Sequence, residues 1–234
     1  MSPPGQPPTG QVPSSALPAP PARPEIRHPL VAYPGFDVMS QQNHWDEATR
    51  RLILDRVFNV PKIRFFTEDE ARLLVAVADR IIPQDDRAPA ERIPIVPWID
   101  DSLYNHITNG YRYEDMPPQE EAWRLGLRGI DETARIRLGK GFRELTEAEQ
   151  DEVLVAVATG KAEGETWQTM PAKRFWDAHL IGAICEQYYS HPTAWNEIGF
   201  GGPAYPRGYV ALNHGLPDPW EVREVRLDAT AGES

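Results

Sequence analysis

The sequence predicts an all-α fold: a compact bundle of about five to six helices, with a disordered Pro-rich N-terminal tail and an extended C-terminal segment of Gly, Pro and aromatic residues. Three observations carry this reading. Apolar residues recur at three- and four-residue spacing through the middle of the chain. Two Thr-x-x-Glu motifs, at 67–70 and 146–149, each stand directly before such a stretch, where threonine and glutamate cap a helix reciprocally. No segment alternates apolar and polar residues for long enough to read as a strand.

Eleven of the 24 prolines fall in the first 34 residues, among Gly, Ser, Gln and Ala that offer little to bury, so residues 1–25 read as a solvated tail. An entry segment follows over 26–64. It holds a short helix over 45–58 whose stripe is Leu52, Ile53, Val57 and Phe58, and Pro61 forbids its continuation. The capping box at Thr67 opens a second helix to Ile82, with Ala71, Leu74, Val75, Ala78, Ile81 and Ile82 on one side and Pro83 as its stop. A third helix is expected over 94–107, carrying Ile95, Trp98, Ile99, Leu103 and Ile107 ahead of Gly110. Pro117 and Pro118 suit a helix start, and Trp123, Leu127, Ile130, Ala134 and Leu138 share one face of a fourth helix that Gly139 ends. The box at Thr146 leads into Val153, Leu154 and Val157, closed by Gly160 in a left-handed conformation.

Residues 172–189 are apolar on most sides and read as a central buried helix. Beyond Ser190, Gly199, Gly201, Gly202, Pro203, Pro206 and Gly208 forbid a long helix or a central strand. Yet Trp195, Phe200, Tyr205, Tyr209 and Trp220 lie in this stretch. Large aromatics in an irregular segment must bury against something, either the chain's own helices or another protein. The helical domain is placed at 65–222, and 223–234 reads as a C-terminal tail.

A formal charge of -11, with Lys and Arg scattered among acids, argues against nucleic acid or an anionic membrane surface as a partner. No apolar run is long enough for a membrane helix, so the chain reads as soluble without membrane insertion. The single cysteine, Cys185, sits in an apolar run as an inert buried thiol. No secretory signal is visible. Arg50-Arg51 resembles a twin-arginine motif only until Asp55 and Arg56 interrupt it, so a cytoplasmic location is expected, and a periplasmic one only through co-export with a partner.

The search for chemistry yields no catalytic, cofactor-binding or metal residue. Asp85-Asp86 and Asp100-Asp101 are neighbours that point apart, and read as solvated or capping residues. His28, His44, His106, His179, His191 and His214 follow no close ligand spacing. His179 suits a core histidine bonded to a backbone carbonyl. Gly199-Phe200-Gly201-Gly202 follows no strand and opens no helix, so neither phosphate-loop context is met. There is no nucleophile elbow and no haem-attachment motif. A helical enzyme assembling His106, His179, His191 and acids into a metal site, and a free-standing chaperone-like binding module, remain open as alternatives.

Four sets of residues stand out together: Phe65-Phe66-Thr67-Glu68-Asp69-Glu70-Ala71, Asp79-Arg80-Ile81-Ile82-Pro83, Tyr188-Tyr189-Ser190-His191-Pro192, and the run from Trp195 to Gly208. With these the chain resembles the gluconate 2-dehydrogenase subunit 3 family over about 33–220, most specifically at Ile198-Gly199-Phe200-Gly201-Gly202-Pro203. The resemblance implies a helical, non-catalytic small subunit that docks on, stabilises or matures a flavin-dependent dehydrogenase of the glucose–methanol–choline type, acting on a sugar, sugar acid or polyol. It places FAD, and haem c where a cytochrome c subunit is present, in the partners. The proline-rich N-terminus departs from the twin-arginine signal that related subunits often bring. The candidate partner interface is Trp195, Ile198, Phe200, Gly201, Gly202, Pro203, Tyr205, Arg207, Tyr209 and Trp220, with Trp98 and Trp123 as further contributors.

Overall fold

The computed structural model describes residues 33, 35–108, 110–206, 208 and 222; the tails expected over 1–25 and 223–234 lie outside the described residues. Among these the regular structure is helical throughout, as the sequence predicts. The helices are α1 (Glu47–Phe58), α2 (Glu68–Ile81), α3 (Ile95–Tyr104), α4 (Gln119–Leu138), α5 (Glu147–Ala158), α6 (Ala172–Phe175), α7 (Ile181–Tyr189) and α8 (Pro192–Ile198). A 3-10 turn at Val38–His44 precedes α1. Both capping boxes are formed: the Thr67 amide donates to Glu70 Oε2 at 2.8 Å, and the Thr146 amide to Glu149 Oε2 at 2.8 Å.

The main core lies between α2, α3, α4, α5 and the α6–α7 rod. Trp123 on α4 is its centre, buried edge-on against Phe66 at 6.1 Å and Phe175 at 5.7 Å between ring centroids. Gly126, one turn along, lets the Phe175 ring lie on the α4 backbone, since a Cβ there would stand 2.2 Å from the ring. Polar ties fix the helices around this core. Arg80 of α2 forks onto Asp151 of α5, donating from Nε at 3.0 Å and from the guanidinium terminus at 3.1 Å, and also meets Glu147.

The acidic pair at 100–101 splits. Asp101 stays at the surface with Arg64, whereas Asp100 is fully buried and accepts the backbone amides of Arg64, Phe65 and Phe66 in the turn before α2. It is the capping half of the expectation that holds for Asp100, because the backbone amides of the turn take their acceptor from the protein once the turn is packed against α3.

Other elements depart from the sequence reading for local reasons. The 172–189 helix is not buried on most sides: Gly182, Glu186 and Tyr189 face solvent, and Phe175, Leu180, Ile184 and Tyr188 make a single buried row. The step of five from Phe175 to Leu180 is bridged by a π-helical turn at Trp176–Leu180, where the Ile181 amide reaches back to Trp176. On α1 only Ile53 is buried; Leu52 is 69% and Phe58 72% exposed. α3 stops at Tyr104, and the chain turns at His106 with φ of 54°, so Ile107 lies outside the helix and in solvent. Finally, α8 is a short helix inside the stretch expected to be irregular, begun by Pro192 at its first position and ended by left-handed Gly199.

Candidate functional site

Two of the four motifs singled out in the sequence, 188–192 and the run from Trp195, meet at α8; those at 65–71 and 79–83 tie α2 to α3, α4 and α5 instead. After α2 the chain turns through Gln84, whose buried side chain accepts the Ile93 amide at 2.8 Å and returns a bond to the Ile93 carbonyl at 3.2 Å. That turn presents Arg87, with a side chain 9% exposed, to α7 and α8. Arg87 donates to Gln84 Oε1 at 3.1 Å and to the Tyr188 hydroxyl at 3.2 Å, and pairs with Glu197. Tyr188 in turn donates to Glu197 Oε2 at 2.6 Å. Thus the turn after α2, the end of α7 and the last turn of α8 form one polar knot.

His191 closes the knot from the helix end. Its Nδ1 accepts the Thr193 amide at 3.3 Å, which caps α8. Burial, reinforced by the nearby positive charges of Arg56 and Arg87, holds its pKa down at about 4. The ring is therefore kept neutral, as its accepting role requires. Arg56 of α1 reaches over, stacking 4.9 Å from the Trp98 ring centroid and donating to the Gln187 carbonyl at 3.0 Å.

Beyond the knot lies a second, smaller apolar cluster. Val38, Trp45, Ile53 and Trp195 are buried together, with Phe36, Met39 and Phe200 packed around them. Trp195 donates its indole N–H to the Tyr189 carbonyl at 2.6 Å and meets Phe200 edge-on at 5.5 Å. The Val38 amide donates to Asn196 Oδ1 at 2.8 Å. Gly199 and Gly202 have positive φ and no room for a side chain: a Cβ at Gly199 would stand 2.4 Å from the Tyr33 ring, and one at Gly202 2.9 Å from Val38.

The candidate interface residues therefore divide. Trp195 and Gly202 are buried and Phe200 half-buried against the chain's own entry segment; Gly201 and Pro203 are half-buried; Ile198 (51%) and Tyr205 (68%) face outward. Arg207, Tyr209 and Trp220 lie outside the described residues. Trp123 is sealed in the main core and is no contact residue, and Trp98 lies half-buried beneath Arg56. The sequence reading overlooked Gln84, Arg87, Asn196 and Glu197, although the last two sit inside the motif that begins at Trp195.

The histidines stand in different places. His106 is exposed and bonds Glu120 at 3.1 Å, which holds that carboxyl below its usual range. His179 lies in the π-helical turn, its ring tilted on Phe175 and its pKa lowered by burial. It lines two clefts, of about 320 and 210 Å³. Burial pushes the Cys185 thiol up, away from the reactive thiolate. Among the described residues no three His, Cys, Asp or Glu side chains are grouped to hold a metal ion, and no helix is long and apolar enough to cross a membrane.

Among the described residues the molecule is thus all-helical, and its distinctive polar and aromatic residues tie α8 and the turn through Gly202 to the rest of the chain. The model of the gluconate 2-dehydrogenase subunit 3 family matches residues 68–202, more than half of the chain, and the chain belongs to that family. No curated protein and no solved structure matches it. The matched span begins at α2 and ends at Gly202, so the entry segment with α1 lies outside it.

Proposed function

We propose that this chain is a non-catalytic small subunit that docks on a flavin-dependent dehydrogenase of the glucose–methanol–choline type and stabilises or matures it. The dehydrogenase oxidises a sugar, sugar acid or polyol; FAD resides there, and haem c in a cytochrome c subunit where one completes the complex. The observation that supports this best is the use to which the family motifs are put. Tyr188, His191, Asn196 and Glu197 of those motifs hold α8, joined by Arg87 from outside them, while Ile198 on α8 and Tyr205 beyond it face outward. Exposed apolar side chains beside a helix fixed in this way suit a docking surface.

The test is co-purification with the flavoprotein dehydrogenase encoded beside it. Wild type is expected to bring down a protein with a bound-flavin absorbance, and Ile198→Asp combined with Tyr205→Ala to lose most of it while remaining helical. Failure of the wild type to capture the flavoprotein overturns the reading, and undiminished capture by the double variant removes these two residues from the interface.

A further inference from the structure

The two clefts that His179 lines make one groove. They share Thr108, Gln119, Ala178 and His179, and together they run from the 110–118 turn along α7 to Gln187. At the first end Tyr111 and Tyr113, exposed and edge to face at 5.8 Å, share the cleft with buried Met116. Toward the other end Glu186 is exposed and forms no ion pair with a described residue, bearing on Arg56 only through space. Between these ends the side chains of His179 and Gln119 are half-buried, yet neither hydrogen-bonds to a described residue. His179 is therefore not the carbonyl-bonded core histidine that the sequence suggests. Half-buried polar groups of this kind find their partners in water or in a ligand.

The N-terminal sequence supplies a segment of matching chemistry. Residues 18–24 read Pro-Ala-Pro-Pro-Ala-Arg-Pro, and Arg23 is the sole charged side chain in residues 1–24. Proline fixes φ and has no N–H, so such a run is pre-set for a polyproline helix with three residues per turn. That spacing puts Pro18, Pro21 and Pro24 on one edge, and the backbone carbonyls have no internal donor. Grooves that take such helices set aromatic rings against the proline edge. A polyproline helix places Pro18 and Arg23 about 15 Å apart, and the rod from His179 to Glu186 rises about 10 Å, so one segment spans both clefts. The tether also reaches. The described chain begins at Tyr33, whose ring lies against Gly199 beyond the far end of α7. From Pro24 to Tyr33 an extended chain covers about 30 Å, enough to return along α7.

We infer that residues 18–24 dock in this groove in cis, with Pro18 and Pro21 on Tyr111 and Tyr113, their backbone carbonyls on His179 and Gln119, and Arg23 on Glu186. The charge fixes the direction. Arg23 lies on the Tyr33 side of Pro18 and Pro21 in the chain, as Glu186 lies on the Tyr33 side of the tyrosines along α7. The N-terminal run is then a strap along the α7 groove, and the neutral donors there meet carbonyls that carry no other donor. This surface is separate from Ile198 and Tyr205, and the inference stands apart from the docking reading above.

NMR on the full chain tests the strap. In wild type the Ala19, Ala22 and Arg23 amides are expected to show heteronuclear NOE values close to those of α4, and Tyr111→Ser with Tyr113→Ser to drop them to the level of the first residues of the chain. Pro18→Ala with Pro21→Ala, which alters no residue of the helical domain, is expected to shift the Tyr111, Tyr113 and Gln119 side-chain signals. Arg23→Glu should shift them in the same sense, and Arg23→Lys by less. Tail amides as mobile in wild type as in the tyrosine variant, or groove signals that the tail variants leave in place, overturn the strap. Groove signals that move on dilution of the wild type assign the seat to a second copy and overturn docking in cis.

Discussion

The carboxylate of Asp100 on α3 lies 2.8 Å from the backbone amide of Phe66, and it gathers the amides of Arg64 and Phe65 as well. One buried side chain thereby supplies acceptors for the whole turn that leads into the Thr67 capping box. Asp100→Asn keeps the volume but sets an amide donor against backbone donors. The expected loss is about 2–4 kcal/mol, since an unmet buried amide costs about 1–3 kcal/mol and bonds to a charged group are worth more than neutral ones. Urea denaturation checks this, with Asp101→Asn, a surface partner of Arg64, losing under about 1 kcal/mol.

His191 makes stability depend on pH. Its folded pKa of about 4 lies below the ordinary 6.5, so the unfolded chain binds the proton more readily. Stability from the neutral ring is fully present above about pH 6.5 and declines as pH falls toward 4, by on the order of 3 kcal/mol in all. His191→Asn retains a capping acceptor without a titrating group. The difference between wild-type and variant unfolding free energies, measured from pH 8 to pH 4, should therefore narrow by that amount in favour of the variant. A constant difference would show that the ring does not titrate against Arg56 and Arg87.

Two helical glycines should respond oppositely to the same substitution. Gly126→Ala drives a methyl to 2.2 Å from the buried Phe175 ring, and overpacking of this kind costs about 1–3 kcal/mol, exceeding the helix-propensity gain of about 1 kcal/mol. Gly182 on α7 is exposed with nothing within 4 Å of a new Cβ, so Gly182→Ala gains about 0.5–1 kcal/mol. Thermal melts of the two variants should shift in opposite directions.

What the sequence made legible was what is encoded locally. Thr67 and Glu70, or Thr146 and Glu149, are three residues apart and fix a helix start without help from the rest of the chain. The same holds for the face of α4 from Trp123 to Ala134. Periodicity does not say which side of a short helix finds a partner, which is why Leu52 and Phe58 were placed in a stripe that the fold leaves open. The π-helical turn was written in the spacing Phe175, Leu180, Ile184, Tyr188, but a five-residue step is hard to see when Trp176 and Ala178 within it offer apolar residues at ordinary helical spacing. The knot around α8 was the least legible, because Arg87 and Glu197 are 110 positions apart and neither lies in a periodic pattern. Of the site, then, the aromatic and glycine residues announced themselves, while the polar residues that hold them did not.

The ion pair within that knot gives the last prediction. Arg87 is nearly enclosed, Glu197 is 28% exposed at its side chain, and Tyr188 bonds both. Arg87→Met preserves much of the stem packing against the Tyr188 ring, which lies 5.7 Å from the guanidinium carbon. What it removes is the charge that makes Glu197 tolerable there, and breaking a buried pair from one side costs about 3–5 kcal/mol. Adding Glu197→Gln should restore part of this, because the neutral amide still accepts from Tyr188 and leaves no uncompensated charge. A double-mutant cycle in urea should therefore give a coupling of about 1–3 kcal/mol between the two positions. The loss should also be local before it is global. With α8 loosened, Asn196 no longer holds the Val38 amide, so that amide should lose hydrogen-exchange protection in Arg87→Met ahead of those in α4. If Val38 keeps its protection until α4 opens, the knot does not anchor the entry segment, and Arg87 matters only to the main core.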